Sequence, residues 1–328
     1  MSRDAELPSI ADKKTAREIL CGPMVPVISH YKDDLSLDLP ALESNIEYLI
    51  EHGVRTGKGA LLIGGAGADF PMLTLEERKQ VARTSVKAAA GRVPIVLGAQ
   101  ATDERVIMGL AELAEELGIY ALQMGPPYYF GPSDEDVIRL FSKVNASLKR
   151  SGIMVYNTWW TGYNMPLKVV DQLTDLDRVV SLKWSVPDGA VSYMQGVARY
   201  AEKVAVIDNN NTWPLTSLLG GTGFITHLTS VWPEHDLELF ALTSAGEYKK
   251  TMDLMRAVDW PFIGFREKMA GRTSGEGSVV RATLEICGRV GGPSRPPARD
   301  LTADEREELR SILTEIGAPV AQNTPALR

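Results

Sequence analysis

Lys183 stands near the end of the apolar run Val179-Val180-Ser181-Leu182-Lys183-Trp184-Ser185. Runs of this kind form the interior strands of parallel sheets, where a charged amine loses its hydration. Burial disfavours the ammonium form, so the pKa falls and a nucleophilic amine becomes available near neutral pH. That is what an imine-forming lysine requires. The preceding run, Gly152-Ile153-Met154-Val155-Tyr156-Asn157, ends in Tyr156, whose phenol can carry protons. Taken singly, Lys183 reads as a strand-end lysine reaching solvent, and Tyr156 as a core tyrosine with a satisfied hydroxyl. Two such residues at the ends of successive runs favour imine chemistry.

The elements that must position this pair repeat along the chain. Short apolar runs at 24–29, 60–64, 93–98, 121–124, 152–157, 179–185, 205–208 and 223–226 alternate with helical stretches. Those stretches include residues 39–52, 75–90, 102–117, 134–148 and a long one at 237–258. Thr74 with Glu77, and Thr302 with Glu305, have capping-box spacing at helix starts. Eight strand–helix units over roughly 250 residues predict a (β/α)8 barrel, with an open doubly wound sheet as the alternative. The barrel is expected over residues 1–260. Residues 261–328 read as a helical extension packed on it, with helices at 276–289 and 302–316.

Composition limits the function classes. The chain has 328 residues, 44% hydrophobic, with a net charge of −7, so a nucleic-acid surface is not expected. No apolar stretch approaches the ~18 residues of a membrane span. Met1 to Lys14 is polar, without the apolar core of a secretory signal. Two cysteines make no disulfide framework, and a cytoplasmic location is expected. The four histidines, His30, His52, His227 and His235, show no metal-ligand spacing, so no metal is expected. The stretch Thr56-Gly57-Lys58-Gly59 lacks the order of a phosphate loop and precedes a strand rather than following one.

Barrel enzymes place their chemistry at the C-terminal ends of the strands. Here those ends carry Gly64-Gly65-Ala66-Gly67-Ala68-Asp69, Pro126-Pro127-Tyr128-Tyr129-Phe130, Tyr156, Lys183, Asp208-Asn209-Asn210-Asn211 and Gly220-Gly221-Thr222-Gly223-Phe224-Ile225-Thr226. The glycine turn brings backbone N–H groups close to an anion such as a carboxylate. Asp208 to Asn211 read equally well as a helix cap or as polar substrate contacts.

In combination, these motifs resemble the dihydrodipicolinate synthase / N-acetylneuraminate lyase family of class I aldolases, from about residue 22 to residue 319. The resemblance implies that Lys183 forms an imine with pyruvate or a related 2-keto acid, with no other cofactor. It implies that Tyr156 shuttles protons and that Tyr129 joins them, although a subunit contact suits Tyr129 equally. It also implies that the N–H groups of Gly65 and Ala66 hold the keto-acid carboxylate, and that the Ile225 carbonyl positions the lysine amine. A homo-oligomer, tetramer or dimer, is implied as well.

The departures are specific. Gly65 and Ala66 replace a threonine pair, and the segment after Tyr156-Asn157 is Thr158-Trp159-Trp160-Thr161-Gly162, without the family's carboxylate-gripping arginine. Trp184 stands where a small acid is usual. The expected cavity is therefore aromatic and poor in charge clamps, with Trp160, Trp184 and Asn209 as substrate contacts. The expected activity is that of an aldolase or hydratase-aldolase with an aldehyde-type partner that is bulky or aromatic. A dehydratase or deaminase of a 2-keto-3-deoxy acid, and a non-catalytic barrel serving as a ligand-binding scaffold, are the alternatives.

Overall fold

The computed structural model describes residues 10–322. The N-terminal stretch read above for a secretory signal lies mostly outside them. Eight parallel strands close into a barrel in chain order: β1 (Gly22–Val27), β2 (Ala60–Ile63), β3 (Ile95–Gly98), β4 (Ala121–Met124), β5 (Gly152–Tyr156), β6 (Val179–Trp184), β7 (Ala205–Asp208) and β8 (Gly223–Ile225). The (β/α)8 expectation is borne out and the open sheet excluded, because β8 pairs back onto β1 at Gly22–Gly223 and Met24–Ile225.

A short helix α1 (Lys13–Ile19) precedes the first strand. Between the strands run α2 (Leu39–Glu51), α3 (Leu75–Ala89), α4 (Glu104–Leu117), α5 (Asp134–Ser147), α6 (Leu167–Asp175), α7 (Gly189–Tyr200) and α8 (Trp213–Leu218). Successive strand residues face opposite sides. Val25, Val27, Leu61, Ile63, Leu122 and Val155 therefore pack outward under the helices, and Met24, Leu62, Val96, Met154 and Ile207 fill the barrel interior. Both predicted capping boxes form, at Thr74 with Glu77 and at Thr302 with Glu305.

The single helix expected at 237–258 is two: α9 (Pro233–Ser244) and α10 (Tyr248–Ala257). Gly246 lies between them at φ 75°, a left-handed conformation that ends a helix and that glycine adopts without steric penalty. Beyond them come α11 (Asp259–Thr273), α12 (Gly277–Ile286) and α13 (Ala303–Glu315). Their apolar faces bury Val258, Phe262, Phe265, Met269, Val280 and Leu309 with Ile28 and Leu228 from the strand-end loops. These helices thus reach the end of the barrel that carries Lys183. Arg281 fastens them there. Buried, it donates to the Ser29 carbonyl at 2.6 Å and to the Gly291 carbonyl at 3.1 Å, and it pairs with the Asp69 carboxylate of the glycine turn.

Candidate active site

Lys183 on β6 and Tyr156 on β5 are register partners across the β5–β6 ladder. Side chains of such neighbours point the same way, and Lys183 Nζ lies 4.0 Å from the centroid of the Tyr156 ring. Both residues are 5% exposed. Burial lowers the Lys183 pKa to about 7, with Arg266 adding to the depression and the Glu276 carboxylate opposing it. The amine is therefore substantially unprotonated near neutral pH. Burial, chiefly, pushes the Tyr156 phenol well above its ordinary range, so it keeps its proton. Asn209 Nδ2 donates to that phenol oxygen at 3.5 Å, and its own backbone is fixed by a bond to the Trp184 carbonyl.

The loop after β5 is held in place by side-chain amides. Asn157 donates to Asn164 and to the Ser185 carbonyl, each at 2.8 Å, and accepts from the Met165 amide. A single 3-10 turn, Trp159–Thr161, follows Thr158. Trp159 Nε1 donates to Ser185 Oγ at 3.2 Å, and Ser185 donates in turn to Asn210 Oδ1 at 2.6 Å. Trp160 is 49% exposed and lies edge-on to Tyr156, with ring centroids 5.7 Å apart. Its indole thus forms an open aromatic wall beside the phenol.

Trp184 is a correction. As the residue after Lys183 on a strand, it must face the opposite side. It is 1% exposed beneath α7, donating to the Tyr193 carbonyl at 3.2 Å and packed edge-on to Tyr200. It belongs to the helix–sheet core and has no access to a substrate. Nor does the structure bring Tyr129 to the lysine. Tyr129 is 84% exposed, at φ 82°, with its ring edge-on to Phe130. Asp208 caps no helix, since α8 starts after Thr212 without a side-chain cap. Its buried carboxylate accepts from the Asn210 and Thr212 amides and from the Tyr193 hydroxyl, and so shapes the loop that presents Asn209.

Gly65 precedes the 3-10 turn Ala66–Ala68 that follows β2; Gly65 is buried and Ala66 exposed. Ile225 ends β8. Beside them the structure places three groups absent from the sequence-derived site. His227 follows β8, Arg266 lies on α11, and Glu276 immediately precedes α12. Glu276 Oε2 is 3.3 Å from His227 Nε2, and Oε1 is 3.5 Å from Arg266 Nη1. Burial acts against the Glu276 charge, but His227, Arg266 and Lys183 outweigh it and hold the carboxyl at about 2. Burial, with Arg266, lowers the His227 pKa against the pull of Glu276, so the imidazole is neutral at neutral pH. The expected scarcity of charge is thus corrected on this side of the site. No local pattern pointed to the trio, since Glu276 and Arg266 sit in the region read as an outer helical extension.

Elsewhere, His235, Asp236 and Asp259 bring ligand-type atoms within 4.8 Å of one another. His235 Nε2 meets Asp259 at 3.0 Å, while Asp236 accepts from Thr226 and Thr229. Burial pushes Asp236 up to about 6.

Residues 20–316 match the sequence profile of the dihydrodipicolinate synthetase family. The chain belongs to this family of class I, Schiff-base lyases. It is 28% identical over 265 residues to a 4-hydroxy-tetrahydrodipicolinate synthase of Halalkalibacterium halodurans, covering 80% of this chain and 86% of that one. It is 26% identical over 315 residues to a protein of Ralstonia nicotianae described as a probable 5-dehydro-4-deoxyglucarate dehydratase, covering 92% and 94%. The fold is shared with YagE of Escherichia coli K12, a family member crystallised with pyruvate. The TM-score there is 0.81 at 24% identity, over 91% of this chain and 99% of that one. The family thus spans a synthase and a dehydratase. Among the described residues, no helix is long and apolar enough to cross a membrane.

Proposed function

We propose that this protein makes or breaks a carbon–carbon bond next to a 2-keto acid, with a bulky or aromatic aldehyde as partner. The observation that carries the reading is the buried Lys183 amine, 4.0 Å over the Tyr156 ring at the strand ends of a barrel, its pKa lowered toward neutrality. In the cleavage direction, Lys183 Nζ attacks the keto carbon and water leaves, giving an iminium. The bond between the third and fourth carbons then breaks, its electron pair moving toward nitrogen to give an enamine. The hydroxyl on the fourth carbon loses its proton and becomes the aldehyde. Protonation of the enamine and hydrolysis return the keto acid and the free amine.

Tyr156, kept protonated by its burial, protonates the carbonyl oxygen as the amine adds. Gly65 and Ala66 hold the keto-acid carboxylate in this reading, and the Ile225 carbonyl positions the amine. Trp160 supplies aromatic surface for the partner, supported by its exposure beside Tyr156. Asn209 contacts the substrate from the opposite side, supported by its bond to the phenol. The exposed Tyr129–Phe130 loop supports assembly into a dimer or tetramer, which sedimentation velocity tests.

Incubation with pyruvate and borohydride, followed by intact mass and peptide mapping, tests the reading. The expected result is a reduced pyruvyl adduct on Lys183, absent in Lys183→Ala. Unlabelled wild-type protein with every keto acid tried overturns it in favour of a ligand-binding barrel. A dehydratase using the same imine is the second reading, favoured by the long match to the Ralstonia protein. A panel of aromatic and aliphatic aldehydes with pyruvate, set against 2-keto-3-deoxy acids alone, separates condensation from loss of water.

A further inference from the structure

Imine formation moves several protons in turn. The amine adds to the carbonyl carbon and leaves a positive nitrogen and a negative oxygen. The oxygen takes one proton and must then take another to leave as water, while the nitrogen must lose one. Tyr156 holds its proton and serves as the first donor. The phenolate left behind, or a second group beside it, then lifts the proton from nitrogen and returns it to the departing hydroxyl.

His227 has the placement for this work. It is 7% exposed, and its Nε2 has no well-aligned hydrogen-bond partner among the described residues, although the Glu276 carboxylate stands 3.3 Å away. The space over that nitrogen exists because residue 67 is glycine. A methyl group there would lie 3.1 Å from His227 Nε2 and 3.4 Å from Glu276 Oε2. The pair therefore meets the turn next to Gly65 and Ala66. The charged groups facing His227 are Glu276, Arg266 and Lys183, from α12, α11 and β6.

We propose that His227 is the second proton-transfer group of the Lys183 site, with Glu276 as the positioning residue that orients its ring and balances its charge when protonated. His227 removes the proton from the adduct nitrogen and delivers it to the hydroxyl. The carbon–oxygen bond breaks, water leaves, and the nitrogen lone pair closes the carbon–nitrogen double bond. This inference rests on the imine reading above and adds a second group to it. Arg266 pairs with the outer oxygen of Glu276 at 3.5 Å and fixes that carboxylate from behind.

The test is the rate of pyruvate adduct formation between pH 5 and 9. Samples quenched with borohydride are weighed over time for the wild type, His227→Gln and Glu276→Gln. In His227→Gln the rate should fall about 100-fold, within the usual range for one acid–base group. Water loss then depends on solvent acid, so above neutral pH the variant rate should decline as pH rises, where the wild type levels off. Glu276→Gln should show a smaller slowing with the same change of profile. Both variants should still reach full labelling of Lys183.

Wild-type rates and profile in both variants overturn the proposal and leave the lysine reading intact. Slowing with an unchanged profile also overturns it, because that is the mark of a packing role. Wild-type protein that never labels removes both readings together. If circular dichroism shows His227→Gln to be unfolded, Glu276→Gln decides alone.

Discussion

Lys183 and Tyr156 are paired twice, once as register partners on neighbouring strands and once as an amine over an aromatic face at 4.0 Å. The first relationship creates the second, since neighbouring strands in register hold equivalent side chains side by side. In the proposed reaction, a parallel barrel therefore brings the nucleophile and the proton donor together.

Burial lowers the amine pKa to about 7, so the rate of pyruvate adduct formation should rise through that pH and level off above it. A stopped-time borohydride assay checks this. A midpoint near the ordinary lysine value of 10.5 would show the amine to be solvated.

The same depression costs stability. Between pH 7 and 10.5 the unfolded chain binds a proton that the folded lysine lacks. The penalty is complete below about 7 and fades as pH rises toward 10.5. Lys183→Met should therefore raise the melting temperature at pH 6 and abolish labelling, and its advantage should narrow toward pH 10. Every tenfold loss of proton affinity on folding corresponds to about 1.4 kcal/mol. An unchanged or lowered melting temperature at pH 6 contradicts the burial argument.

Tyr156→Phe removes one oxygen and keeps the ring under the amine. Turnover should drop about 100-fold or more, the range for loss of one acid–base group, with little change in melting temperature. Steady-state kinetics with the best aldehyde found in the panel provide the check. Near-normal turnover would assign the proton transfers elsewhere.

Trp160 and Trp184 should separate cleanly. Trp160→Ala should leave stability within about 0.5 kcal/mol, as surface substitutions usually do, and weaken selection of aromatic over aliphatic partners. Trp184→Ala empties a core site and should cost about 3–5 kcal/mol. Urea unfolding and relative kcat/KM values read the two effects. Equal destabilisation by both would contradict the assignment of Trp160 to the open wall.

Asp69 and Arg281 join the glycine turn to α12 as a buried pair. Arg281→Met leaves the Asp69 carboxylate buried without its cation and should cost about 3–5 kcal/mol. Adding Asp69→Asn should recover part of that loss. Denaturant midpoints of the single and double variants measure it, and simple additivity would show that the pair is not coupled.

Local pattern made much of this protein legible. Alternating apolar runs and helical stretches specified the barrel, because eight strand–helix units leave few ways to cover both faces of a parallel sheet. Asn157 and Asp208 were visible as motif residues, yet their work is to tie loops together, which only hydrogen-bond partners reveal. Lys183 and Tyr156 were legible because an ionisable group at the end of a buried run loses hydration, a cost that marks out groups with chemistry to do.

Two adjacent letters, Lys183 and Trp184, carried equal promise on paper, and the two-residue period of a strand gave one to the site and the other to the core. Gly246 divided a continuous helical pattern by adopting a left-handed conformation. His227, Glu276 and Arg266 met only because the helices after the barrel fold back over its strand ends, burying apolar faces against Ile28 and Leu228. Strand order and the paired ends of β5 and β6 follow from short-range periodicity, which the sequence by itself determined. The charged flank of the site depends on contacts between residues far apart in the chain, which no local spacing encodes and only the packed tertiary structure decided.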